Sequence, residues 1–311
     1  MTDTAAIFPG QGSQSIGMLA DLAASSDLVG ATFDEASRAI GRDLWTLAGE
    51  GPAEELNQTR WTQPVMLAGD IAVWRVYLSQ GGRMPMVMAG HSLGEYAALV
   101  AAESMALGDA VAVVHERGRL MQEAVAEGEG AMAAILGLDD EQVERICADL
   151  MCSGKTVVAA NYNSPGQLVI AGSRAGVESA VEACKKAGAR RAMQLPVSVP
   201  AHSPLMAPAG DGLKRALGLI EIKRPACPVL HNFDLQPREA AESIRHALVE
   251  QLTHPVPWTG TIRELITRGA TRFLECGPGR VLSSLGKRID HDVDWMAMET
   301  PKGIDEALEE G

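Results

Sequence analysis

The sequence predicts an α/β layer fold: a large parallel-sheet subdomain interrupted by a small inserted βαββαβ module. Three observations carry that reading. The apolar run Pro85-Met86-Val87-Met88-Ala89 meets Gly90, and apolar residues then recur at helical spacing as Leu93, Tyr96, Ala97, Val100 and Ala101. A buried parallel strand feeding a helix has this pattern. Between residues 128 and 196 the strand and helix patterns follow the order β-α-β-β-α-β, the split unit of a ferredoxin-like module. The flanking segments, 1–127 and 197–311, again alternate strand with helix and together form the larger subdomain.

Each element has a local reason. Ala5 to Phe8 is a short apolar strand that ends in the glycine-rich turn Pro9-Gly10-Gln11-Gly12-Ser13-Gln14. Helical patterning with capping signals continues to about Leu78. After the Gly90 strand and the helix from Leu93, Ala131 to Leu136 reads as strand. Asp139 and Asp140 can cap a helix to about Met151. Val157 to Ala160 is strand, Asn161 to Gly166 a turn cluster, and Gln167 to Ala171 strand again. Ser173 can cap a helix ending at Gly188, and Ala192 to Leu195 closes the module. There is no internal repeat and no low-complexity stretch.

Composition narrows the function class. With 46% apolar residues the chain is ordinary globular protein. Its 27 basic and 40 acidic side chains give a net charge of −13, which excludes nonspecific nucleic-acid binding through clustered cations. The five cysteines (Cys147, Cys152, Cys184, Cys227 and Cys276) are widely spaced without a C-x-x-C pair, which reads as reduced thiols in a cytoplasmic protein. Met1-Thr2-Asp3-Thr4 lacks the basic, then apolar, pattern of a signal peptide, and no apolar run approaches the ~18 residues of a membrane span. No metal site or bound cofactor is expected.

Gly90-His91-Ser92-Leu93-Gly94 is G-x-S-x-G between a strand and a helix, the context of a nucleophile elbow. The turn presents Ser92 Oγ at the carboxyl edge of the sheet. It also puts the Leu93 N–H at a helix N-terminus, where an oxyanion is stabilised. A serine nucleophile needs a base. Among seven histidines the sequence favours His202, in the proline-bounded loop Val197-Ser198-Val199-Pro200-Ala201-His202-Ser203-Pro204. The others read as surface or satisfied core residues. No acid stands in the usual place between Ser92 and His202, which leaves a backbone carbonyl or an amide to orient the base. Gly10-x-Gly12 resembles the start of a dinucleotide fingerprint, but Ser15 stands where the third glycine should be. A better use of that turn is to aim backbone N–H groups, such as that of Gln11, at a developing oxyanion. Arg117, on a predicted helix, reads either as a surface residue or as a bidentate clamp on a carboxylate.

The motifs Phe8-Pro9-Gly10-Gln11-Gly12-Ser13-Gln14, Gly90-His91-Ser92-Leu93-Gly94-Glu95-Tyr96, Arg117-Gly118-Arg119-Leu120-Met121-Gln122, Asn161-Tyr162-Asn163-Ser164-Pro165-Gly166-Gln167 and Val199-Pro200-Ala201-His202-Ser203 occur together and in order. Over essentially the whole chain this resembles the malonyl-CoA:acyl-carrier-protein transacylases of bacterial type II fatty acid synthesis. The resemblance implies a hydrolase-like α/β subdomain with a ferredoxin-like insert. It implies ping-pong transfer of malonyl through Ser92, with His202 as base, Gln11 and Leu93 as oxyanion donors, and Arg117 on the malonyl carboxylate. Gln251 is the matching position for the group whose backbone orients the histidine. Ala201, Pro257 and Cys276 depart from residues common in that family, and Ala201 lies near the pocket.

The partners so implied are malonyl-CoA and acyl carrier protein, to a monomer, with no nucleic acid and no membrane. Both partners are acidic, so a chain of charge −13 must meet them through a local exception. Lys185-Lys186-Ala187-Gly188-Ala189-Arg190-Arg191 is the candidate patch; its alternative role is helix C-terminal charge. Competing readings are the same transfer serving polyketide synthesis or malonate decarboxylation, a serine thioesterase or esterase, and a non-catalytic synthase subunit.

Overall fold

Five strands form a wholly parallel sheet in the order β7-β2-β1-β8-β9. They are β1 (Thr4–Phe8), β2 (Val87–Gly90), β7 (Val229–Leu230), β8 (Arg272–Glu275) and β9 (Asp294–Ala297). The computed structural model describes residues 3–197 and 199–309. Met1, Thr2, Ser198, Glu310 and Gly311, all parts of the segments read above, lie outside the described residues.

Strand β1 lies between β2 and β8, and Ala5 to Phe8 are fully buried. Alternation divides the core. Ala6, Phe8 and Met88 face one helical layer, whereas Ala5, Ile7, Val87 and Ala89 face the other. Three helices of the first layer matter below: α1 (Thr59–Ser79), α2 (Gly94–Ala101) and α3 (Leu107–Glu123). None of the described helices is long and apolar enough to cross a membrane.

The second sheet has four antiparallel-paired strands in the order β4-β5-β3-β6: β3 (Gly130–Leu136), β4 (Val157–Ser164), β5 (Gln167–Ser173) and β6 (Arg191–Gln194). Helices α4 (Asp140–Cys152) and α5 (Arg174–Lys186) cover one face, burying Val143, Cys147, Val177 and Ala180 on Ala133, Ile135 and Ile170. Asp139 caps α4 in a capping box with Gln142, and the Ser173 hydroxyl accepts the Gly176 N–H at the start of α5. On the opposite face Met132, Ala160, Val169 and Ala171 pack with Leu195, Val197 and Ala201, the chain that leads into His202.

One expected turn is strand instead. β4 continues through Asn161 to Ser164, leaving only Pro165-Gly166 as the turn. The reason is tertiary pairing: Tyr162 N–H donates to Val256 O at 2.9 Å, and Val256 N–H donates to Ala160 O at 2.8 Å. A partner on each side gives these polar residues the hydrogen bonds that a turn would otherwise supply. β6 also begins and ends one residue earlier than the pattern implies.

Candidate functional site

Ser92 sits where β2 turns sharply into α2, with φ of 52°. The turn is tight because its glycines leave room: a Cβ on Gly94 would lie 2.0 Å from the Phe8 carbonyl oxygen. The Pro9–Gly12 loop closes over the same place, and a Cβ on Gly10 would meet the His91 oxygen at 2.4 Å. The strained serine is held at both backbone groups. Its N–H donates to Asn232 Oδ1 at 2.8 Å, and its carbonyl accepts from Gln251 Nε2 at 3.0 Å. Asn232 Nδ2 in turn donates to Gly90 O at 2.8 Å.

Ser92 Oγ lies 2.7 Å from His202 Nε2, and His202 Nδ1 lies 2.9 Å from the backbone carbonyl of Gln251. A carbonyl only accepts, so Nδ1 carries the proton and Nε2 is free to take the serine proton. The orienting group is thus a main-chain oxygen, one of the two options the missing acid left open. Burial, and after it the Arg117 guanidinium, push the His202 imidazole down to about 3. The imidazole is therefore held neutral in the empty site well below the usual histidine range. For loading from malonyl-pantetheine, which lacks the titrating phosphate of CoA, kcat/KM is expected to stay level from pH 8 to about pH 5. An acid limb centred near 6.5 in a quenched-flow pH series would contradict a depressed His202.

Arg117, which spacing alone left open, is buried on α3 with 2% exposure. Its Nη1 donates to Gln63 Oε1 at 2.8 Å. Its Nη2 donates to Gln251 Oε1 at 2.9 Å and reaches Ser92 Oγ at 3.3 Å. The guanidinium carbon stands 5.6 Å from the Tyr96 ring centre. Burial pulls its pKa below the usual guanidinium value. Nε has no hydrogen-bond partner, and no carboxylate pairs with the group among the described residues. A buried cation with no carboxylate partner can receive an anion.

The remaining predicted residues divide. The Leu93 and Gln11 N–H groups donate to nothing within the chain among the described residues, which leaves both for an oxyanion. The Gln11 side chain reaches Thr59 Oγ1 at 3.4 Å. Lys185, Lys186, Arg190 and Arg191 are exposed at the corner between α5 and the edge strand β6, and Lys185 pairs with Glu182 at 2.8 Å. A cleft of about 430 Å³ opens between the start of α1, the end of α3 and the segment before His202, lined by Thr59, Met121, Gln122, Val125, Val197 and Val199. Sequence reasoning missed Gln63, Glu95, Asn163, His231 and Asn232. The available signal was polar residues in otherwise apolar runs, such as Gln63 within α1 and Glu95 within α2. His91 Nε2 lies 2.9 Å from Asn163 Oδ1, which ties the elbow to the smaller sheet.

Comparison with known proteins gives the family of this chain. The family model described as acyl transferase domain matches residues 6–300. A malonyl CoA-acyl carrier protein transacylase of Escherichia coli is 50% identical over 309 residues, covering 99% of this chain and 100% of that protein. One from Bacillus subtilis is 43% identical, covering 99% and 97%. The solved malonyl CoA-acyl carrier protein transacylase of Coxiella burnetii superposes with a TM-score of 0.97 at 45% identity, covering 99% and 97%. A malonyl-transacylase solved in complex with its type II PKS acyl-carrier protein gives 0.97 at 50% identity, covering 99% of each chain. By sequence and by fold, the chain belongs to the acyl transferase family.

Proposed function

We propose that this chain is a malonyltransferase that moves malonyl from malonyl-CoA to the phosphopantetheine thiol of an acyl carrier protein. The observation that carries the reading is the buried Arg117 guanidinium 3.3 Å from Ser92 Oγ. It supplies a counter-charge for an acyl group that carries its own carboxylate.

His202 Nε2 takes the Ser92 proton as Oγ attacks the thioester carbon. The Gln11 and Leu93 N–H groups receive the oxyanion. The C–S bond breaks, and the CoA sulfur leaves with the proton from Nε2. The carrier thiol then gives its proton to Nε2 and attacks the malonyl-serine ester, and Ser92 departs with the proton returned. Substrate carboxylate on Arg117 offsets the cation that helps to depress His202, so a malonyl group raises the basicity of the base that acts on it. Acetyl cannot do this and leaves the guanidinium unpaired. The exposed cations at Lys185, Lys186, Arg190 and Arg191 support a docking role toward an acidic carrier protein. The reading places the enzyme in the cytoplasm, needing no bound cofactor.

The test is a panel of acyl-CoAs, each with and without carrier protein. Malonyl should reach the carrier at least tenfold faster than acetyl, with little hydrolysis when the carrier is omitted. Rapid hydrolysis without a carrier would identify a thioesterase instead.

A further inference from the structure

Glu95 is fully buried in the first turn of α2, three residues beyond the nucleophile. Its Oε2 accepts the Asn232 N–H at 2.9 Å and Gln251 Nε2 at 2.8 Å, and its Oε1 lies 2.7 Å from His231 Nδ1. His231 is itself fully buried, and its Nε2 has no hydrogen-bond partner among the described residues. A carboxylate only accepts, so the His231 Nδ1–H donates to Glu95 Oε1.

Arg117 is a buried cation facing this group, and the Gln251 amide stands between them. Its Nε2 spends its hydrogens on Glu95 Oε2 and Ser92 O, which obliges Oε1 to face Arg117 Nη2 at 2.9 Å. A carboxylate can only accept, so Glu95 also forbids the flipped amide. We infer that Glu95 is a positioning residue for acyl selection: through the Gln251 amide it serves as the counter-ion of Arg117, aiming the guanidinium and moderating its pull on a substrate carboxylate. The inference rests on the malonyl reading above and adds to it a residue that touches no substrate. An unmoderated cation would hold the malonyl-serine too tightly to hand it on.

Glu95→Gln tests this, because glutamine is nearly isosteric and can keep the Asn232 and Gln251 hydrogen bonds through its oxygen while losing the charge; only the His231 contact is sacrificed, since the tautomer that would accept from the amide puts a proton on the partnerless Nε2. In single-turnover acyl-serine formation, the half-saturating malonyl-CoA concentration should fall roughly tenfold, and that for acetyl-CoA should not move. Transfer from malonyl-serine to carrier protein should slow. Damage to the fold would raise both concentrations, so a rise in both overturns the inference, as does no change in either. Should E95Q not fold, Gln251→Met cuts the relay while keeping the carbonyl on His202. Because the Gln251 side chain also holds the Ser92 carbonyl, acetyl loading falls too and the readout is the ratio: half-saturating malonyl-CoA relative to acetyl-CoA should rise at least tenfold as the guanidinium loses its aim, and an unchanged ratio overturns the inference. Wild-type protein that forms no malonyl-serine in the same assay would overturn the malonyl reading itself, whereas wild-type loading with an unaltered E95Q removes only the role of Glu95.

Discussion

Ser92→Ala is expected to abolish the covalent malonyl adduct seen by intact-protein mass spectrometry after mixing with malonyl-CoA, and to cut transfer by roughly 10⁴- to 10⁶-fold. The hydroxyl is the one group that both meets the base at 2.7 Å and stands at the open end of the elbow. Alanine removes it and leaves the turn intact, since the Asn232 and Gln251 contacts are to the Ser92 backbone. The fold, followed by thermal unfolding, should therefore survive. An adduct of unchanged mass on the alanine variant would reassign the nucleophile.

Arg117→Ala should lower malonyl loading by roughly 30- to 5000-fold, about 2–5 kcal/mol for removing one partner of a buried charged contact. Acetyl loading should hold or rise, because the unpaired cation that penalises a neutral acyl group is gone and the His202 base is relieved of a repulsive neighbour. Arg117→Lys should also impair malonyl loading. A single ammonium cannot reach Gln63 Oε1, Gln251 Oε1 and a substrate carboxylate together, as the planar fork can. Equal loss of malonyl and acetyl loading, read as the ratio of kcat/KM values, would refute the clamp.

The two variants probe parts of the site that differed in legibility. Ser92 was readable because strand, turn and helix signals all sit within the seventeen consecutive residues from Pro85 to Ala101, and the elbow's geometry is local. The βαββαβ order of the insert was readable for the same reason: hydrophobic periodicity is a property of neighbouring residues. The register of Asn161 to Ser164 was not, because Val256, nearly a hundred positions away, supplies the pairing that makes it strand.

Arg117 marks the boundary. Its helix was predictable, but whether a helical arginine faces water or a nucleophile depends on what the fold lays over it. Here Gln63, Tyr96 and Gln251 enclose it. The same holds for Glu95, which the motif contains but whose His231, Asn232 and Gln251 partners come from distant segments. The sequence by itself determined the layer architecture, the elbow that carries Ser92 and the family resemblance, since each is written in local pattern or contiguous motif. Only the tertiary structure decided that a main-chain carbonyl orients His202, that Arg117 is buried beside Ser92, and that a carboxylate stands behind it. Those are matters of burial and long-range contact, and a charge has its chemical meaning only once its solvent has been removed and its partners are in place.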